Sequence, residues 1–167
     1  DGSYLAEKLL ERGYDVYGIT RVCSCGDSKL HRIHHILKHI TLIQADLLDY
    51  TSVAHALEIA MPDELYNLAA MSHVGSSFDL PIATYNINAL GPITIFEAVK
   101  DLNPQIKCYQ ASTSEMFGGV SNGKLHELSP FHPRSPYALA KLYAHYAVQH
   151  YREMGLFVAA GILFNHE

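Results

Sequence analysis

Apolar positions along the chain fall into two alternating patterns. Ser3–Arg12 places leucines and an alanine at helical spacing and is stopped by Gly13, whereas Tyr14–Thr20 reads as a strand. The alternation continues with a helix over Lys29–Lys38 and a short apolar strand at Ile40–Ala45. A helix capped by Thr51 then runs to Ile59, Pro62 ends it, and a strand follows at Glu64–Ala69. Asn86–Lys100 predicts a long helix with Pro92 inside it, which should kink it or move its start because proline lacks the donor its turn needs. Ile106–Ser112 predicts a strand, Gly118 to Pro136 a loop, Tyr137–Glu153 a strong helix and Phe157–Phe164 a buried strand.

Strand and helix in regular alternation predict an α/β fold, a parallel sheet with helices on both faces. In such sheets ligands bind beyond the carboxyl ends of the strands, so chemistry-bearing residues are sought just after each strand. The chain's 167 residues amount to one domain with room for a hydrophobic core.

Composition narrows the function without naming it. A formal charge of −5, with no basic run, argues against a nucleic-acid partner. The sequence has no apolar run long enough to span a bilayer, so no membrane partner is expected. Cys23, Cys25 and Cys108 form no disulfide framework and point to a reducing, cytoplasmic setting. His31, His34, His35 and His39 lack a metal-binding arrangement such as HExxH and are read as a solvated helix face, so no metal is assigned.

The clearest chemical constellation follows the strand at Ile106–Ser112. Ala111-Ser112-Thr113-Ser114-Glu115 puts hydroxyls and a carboxylate at a strand end. One loop later, Tyr137 and Lys141 stand one turn apart on the same helix face. Tyr4 and Lys8 share that spacing, but no hydroxyl-rich strand end precedes them, so they are assigned a surface or packing role. A tyrosine acting as general base near neutral pH needs its pKa lowered from about 10, and three units correspond to about 4 kcal/mol. A nearby ammonium in a poorly solvated cleft contributes to that shift. Thr113 would hydrogen-bond the same substrate oxygen.

Ser112/Thr113 followed by Tyr137-x-x-x-Lys141 resembles the catalytic set of the short-chain dehydrogenase/reductases. Asn67–His73, Tyr109–Glu115, Pro133–Tyr137 and Gly161–Glu167 together resemble the GDP-mannose 4,6-dehydratases of the extended branch of that class. The resemblance implies a partial Rossmann-like, NAD(P)-binding domain over residues 1–167. It also implies that the domain's first strand and the C-terminal substrate domain lie outside this sequence, so a longer protein is expected.

The resemblance further implies a lyase mechanism. Tyr137 takes the proton of the mannose 4-hydroxyl while hydride leaves C4 for the nicotinamide, whose positive ring also favours the phenolate. Glu115 then removes the C5 hydrogen and helps the 6-hydroxyl leave as water, and the hydride returns to C6. Thr113 and Lys141 complete the catalytic set, and Ser114 and Asn165 are implied substrate contacts.

For the cofactor, the resemblance implies Asp1 and Gly2 at the end of the glycine-rich turn, and Asp46 and Leu47 at the adenine. It implies Leu68, Ala69, Ala70 and Ser72 along the nicotinamide half, with Lys141 and His166 as further contacts. Arg21, after the second strand of the family fold, suits a 2′-phosphate and so NADP, with NAD as the alternative. The implied substrate is GDP-mannose or a related nucleotide sugar, and the implied assembly is a homo-oligomer, a dimer or tetramer. Two rival readings stay open: a nucleotide-sugar epimerase or 4-ketoreductase of the same class, and a non-catalytic dinucleotide-binding module. Glu115 weighs against the epimerase, because 4-epimerisation needs no base at C5.

Overall fold

The computed structural model describes residues 1–21, 30–119 and 123–165. Among the described residues five strands form, each close to its expected place: β1 (Val16–Thr20), β2 (Ile40–Gln44), β3 (Glu64–Asn67), β4 (Lys107–Thr113) and β5 (Val158–Leu163). All pairings are parallel. β1 pairs with β2, and β3, β4 and β5 form a second sheet in that order. Parallel strands must be linked by crossovers, and helices supply them.

The helices are α1 (Gly2–Glu11), α2 (Tyr50–Ala60), α3 (Val74–Asp79), α4 (Pro81–Tyr85), α5 (Gly91–Leu102) and α6 (Pro136–Glu153). The core gathers Val53 and Leu57 of α2, Phe96 and Val99 of α5, Val148 and Tyr151 of α6, and Cys108 and Val158 of the sheet. Burial raises the Cys108 thiol to about 11, so it packs as an inert apolar group. Tyr151 ties α6 to α5, its hydroxyl donating to Glu97 Oε1 at 2.6 Å.

Several local expectations are corrected. The strand expected to be buried over Phe157–Phe164 forms β5 at the edge of its sheet, where only Val158 is buried and Phe157 and Phe164 are exposed. Asp49, not Thr51, caps α2, its carboxylate accepting from Thr51 N at 3.1 Å. His31–His39 winds as a 3-10 helix rather than an α-helix, and Lys29 lies outside the described residues. The segment starts at Leu30 without a side-chain cap, and its histidines are poor helix formers. All four of those histidines are exposed, and His35 pairs with Glu7 of α1 at 3.0 Å. Cys23 and Cys25 lie outside the described residues.

Pro92 moves the helix start. It sits in the first turn of α5, and Asn86–Leu90 before it forms a π-helical turn. Proline cannot donate to the ladder, and the wider turn accommodates its ring. α3 and α4 were not anticipated. They are short, and they open on His73, whose Nδ1 accepts from Ser76 N at 3.0 Å, and on Pro81 at the first helical position. Among the described residues no helix is long and apolar enough to cross a membrane.

Candidate active site

The site is built on the carboxyl end of β4 and the first two turns of α6. Ser135 caps α6, its hydroxyl accepting from Ala138 N at 3.0 Å, and Pro136 fills the first turn, where a missing N–H costs nothing. The Ser-Pro-Tyr run therefore starts the helix and fixes where Tyr137 points. Tyr137 and Lys141 are both buried, at 8% and 3% exposure, which is unusual for a lysine and needs a compensating partner. Lys141 Nζ donates to Ala111 O at 2.6 Å, and burial lowers its pKa to about 8.

Thr113 ends β4 and works twice. Its Oγ1 accepts from Glu115 N at 3.2 Å, capping the 3-10 turn Ser114–Phe117. It also hydrogen-bonds the Tyr137 hydroxyl, which favours the phenolate. Glu115 is exposed on that turn, and its charge bears on Tyr137. The structure thus brings Thr113, Glu115 and Tyr137 together, with Lys141 one helical turn behind.

The phenol's pKa is displaced opposite to the direction a general base requires. Burial raises it, outweighing the Thr113 hydrogen bond, and the Glu115 charge adds to the rise. The Lys141 ammonium, committed to the Ala111 carbonyl, does not reverse this. A cation brought by a ligand is needed to lower it.

A second loop shapes the site from outside. His132 N donates to Met116 O at 2.8 Å, and Arg134 lies over Gly118 and Gly119. Gly118 adopts φ +52 and ψ −95, and a Cβ there would overlap the His132 carbonyl oxygen. Gly118→Ala is expected to cost about 1–3 kcal/mol, read as a lower urea midpoint at unchanged slope. A wild-type midpoint would show that the loop gives way freely.

The residues assigned to the cofactor lie beyond the other strands. Arg21 is exposed just after β1. Asp46 follows β2 and folds back, Oδ1 accepting from Leu48 N at 2.9 Å while its own N–H donates to Ser52 Oγ at 3.0 Å. Leu47 packs on Gly91 at the start of α5, where a Cβ would stand 3.2 Å from it. Leu68 to Ser72 run irregularly after β3. Asn67 Oδ1 accepts from Ala69 N at 3.2 Å, and the Asn88 amide clamps Met71 on both sides, accepting from its N–H at 2.8 Å and donating to its carbonyl at 3.0 Å. Sequence reasoning missed Asn88.

Asp1 is the N-cap of α1, and Gly2 is that helix's first residue. Ser114 is half-buried on the 3-10 turn, Asn165 is exposed after β5, and His166 lies outside the described residues. Tyr4 is exposed, and Lys8 pairs with Glu11 at 2.7 Å.

Parallel strands with crossover helices and a Tyr-x-x-x-Lys helix against a hydroxyl-bearing strand end define the Rossmann-like fold of the extended short-chain dehydrogenase/reductases. Two solved structures match it closely. UDP-glucose 4-epimerase of Thermus thermophilus, in complex with NAD, superposes with a TM-score of 0.80 at 27% identity, over 95% of this chain and 50% of that one. dTDP-glucose 4,6-dehydratase of Streptomyces venezuelae, with NAD and TYD bound, gives 0.81 at 25% identity, over 95% and 51%.

The family model for GDP-mannose 4,6 dehydratase matches residues 1–167, and the chain belongs to that family. It is 45% identical to the GDP-mannose 4,6-dehydratase of Yersinia enterocolitica and 45% identical to that of Homo sapiens, in each case over 100% of this chain and 47% of the relative. The chain therefore spans about half the length of the curated relatives it matches.

Proposed function

We propose that these residues form the cofactor-binding and catalytic half of a nucleotide-sugar dehydratase that converts GDP-mannose to GDP-4-keto-6-deoxy-mannose. The observation that carries this reading is the grouping of Thr113, Glu115 and Tyr137 at the end of β4 and the start of α6, inside a chain of this family.

A nicotinamide dinucleotide fits the residues present. Lys141 is buried with one of its three donors on Ala111 O, leaving capacity for a ligand's hydroxyls. The backbone N–H groups of the first turn of α1, beginning at Gly2, suit a pyrophosphate, and Arg21 a 2′-phosphate, which favours NADP over NAD. When bound, the dinucleotide supplies a reversible hydride acceptor and a positive ring.

The protein's own groups do the rest. Thr113 and Tyr137 hold the sugar 4-hydroxyl, and Tyr137 takes its proton. Oxidation at C4 leaves a ketone, which acidifies the hydrogen on C5. Glu115 removes that proton and returns it to the 6-hydroxyl, which departs as water. A proton added at C5, and a hydride that a bound nicotinamide would return to C6, would complete the product with no net redox change. Ser114 and Asn165 serve as substrate contacts, and the remaining cofactor contacts are those assigned above.

We further propose a cytoplasmic homo-oligomer. Phe78, Leu80, Ile82, Tyr143 and Tyr146, in or beside the packed helices α3, α4 and α6, are exposed apolar side chains that a second copy would cover.

Incubating the full-length protein with NADP and GDP-mannose tests the activity. One water is expected to leave the sugar nucleotide, with the alkali-stable absorbance of a keto sugar appearing. A product of unchanged mass with an inverted C4 would establish the epimerase instead, and no product would favour the binding module.

A further inference from the structure

Tyr137, Lys141 and His145 stand at i, i+4 and i+8 of α6 and so share one face. They meet three consecutive residues of β4. Tyr137 hydrogen-bonds Thr113, Lys141 Nζ donates to Ala111 O at 2.6 Å, and His145 Nδ1 lies 3.2 Å from Ser112 Oγ. The first two contacts belong to the site already described. The third belongs to no step of the reaction.

We propose that His145 is a positioning residue. Through the Ser112 hydroxyl it holds the tip of β4 against α6, so that Thr113 and Tyr137 keep one shared hydrogen-bond geometry.

Three observations support it. Ser112 is buried, at 4% exposure, and its hydroxyl has two competing neighbours, His145 Nδ1 and Met116 Sδ at 3.3 Å. A thioether is a weak acceptor, so in either tautomer the imidazole nitrogen is the hydroxyl's stronger partner, accepting from it or donating to it. Met116 lies in the Ser114–Phe117 turn that carries Glu115, so reorientation toward it would reach the carboxylate's support. His145 is itself held. Phe131 meets it edge-on, with centroids 5.3 Å apart at 74°, and Phe131 also packs on Phe117 of the same turn. Burial, then the charge of Arg152, keeps the ring's pKa below the ordinary histidine value, and a neutral ring retains an acceptor nitrogen.

The inference rests on the dehydratase reading for its kinetic consequence. Four variants of the full-length protein test it: His145→Phe, His145→Asn, Ser112→Ala and the double variant of His145→Phe with Ser112→Ala. His145→Phe preserves a ring against Phe131 but lacks the nitrogen, and His145→Asn places an amide oxygen near the position of Nδ1. His145→Phe is expected to lower kcat about tenfold, since small misplacements of reacting groups cost 10- to 100-fold. The KM for GDP-mannose and the melting temperature should hold. His145→Asn should recover most of the loss, and adding Ser112→Ala to His145→Phe should cost little more. Wild-type kcat in His145→Phe, equal losses in Phe and Asn, or fully additive losses with Ser112→Ala would each overturn the proposal.

A second readout needs no turnover. With 13Cζ-labelled tyrosine and the Tyr137 signal assigned by Tyr137→Phe, the Tyr137 titration should move to higher pH in His145→Phe and stay in place in His145→Asn. An unmoved titration in both contradicts the positioning role. A wild-type protein without dehydratase activity sinks the functional reading alone.

Discussion

Lys141→Met is expected to make the ligand-free protein more stable while removing its activity. The ammonium is buried among α6 and β4, and its pKa falls to about 8 from 10.5. At about 1.4 kcal/mol per unit, keeping it charged costs the native state about 3 kcal/mol. The cost has a definite pH window. Below pH 8 both native and unfolded states carry the charge, and the native state bears the full penalty. Between 8 and 10.5 the unfolded state binds more protons, so wild-type stability rises with pH, and above 10.5 the penalty is gone.

Methionine fills the channel without the charge. It forfeits the bond to Ala111 O, worth about 1 kcal/mol, but that carbonyl keeps the Gln110 Nε2 donor at 3.0 Å. A net gain of about 2 kcal/mol at pH 7, shrinking to nothing or reversing by pH 10.5, should appear in urea midpoints. Turnover should fall by about 100-fold or more, because the group that completes the ligand site's electrostatics is gone. A Lys141→Met protein less stable than wild type at pH 7 would show that the lysine is structural.

Glu115→Gln should separate the two halves of the reaction. The side chain is exposed on a turn capped by Thr113, so the amide changes little in the fold. It removes the base assigned to the C5 hydrogen, and removing a general base typically costs 10²- to 10⁴-fold in rate. In deuterated water the wild-type product should carry solvent deuterium at C5, and Glu115→Gln should yield almost none over the same time. Wild-type rates in the variant would move the C5 base elsewhere and remove the strongest argument against a 4-epimerase.

The strands were legible because they read as short apolar runs bounded by polar residues, although only β4 is largely buried. Each of the five strands lies within two residues of its expected start and end. What failed was short or polar. α3 and α4 span too few turns to show a period, and the histidine-rich segment at His31–His39 has amphipathic spacing yet forms a tighter helix. The Tyr137/Lys141 pairing could be read from spacing, because one helical turn is a fixed distance. The direction of the Tyr137 shift could not, because it depends on how deeply the phenol is buried and on Lys141 choosing a backbone carbonyl. Asn88 and His145 were missed for a similar reason. Each acts on a neighbour distant in sequence, Met71 in one case and Ser112 in the other, and only the packed fold brings them together.

The most direct measurement follows one hydrogen. GDP-mannose deuterated at C4 is turned over by the full-length protein, and the product is read by NMR. A dehydratase whose hydride leaves and returns within one bound sugar places the deuterium at C6 of a 4-keto-6-deoxy product. Deuterium back at C4 of an intact hexose, in either configuration, or lost to a released cofactor, would contradict the assignment of Thr113, Glu115, Tyr137 and Lys141 to dehydration.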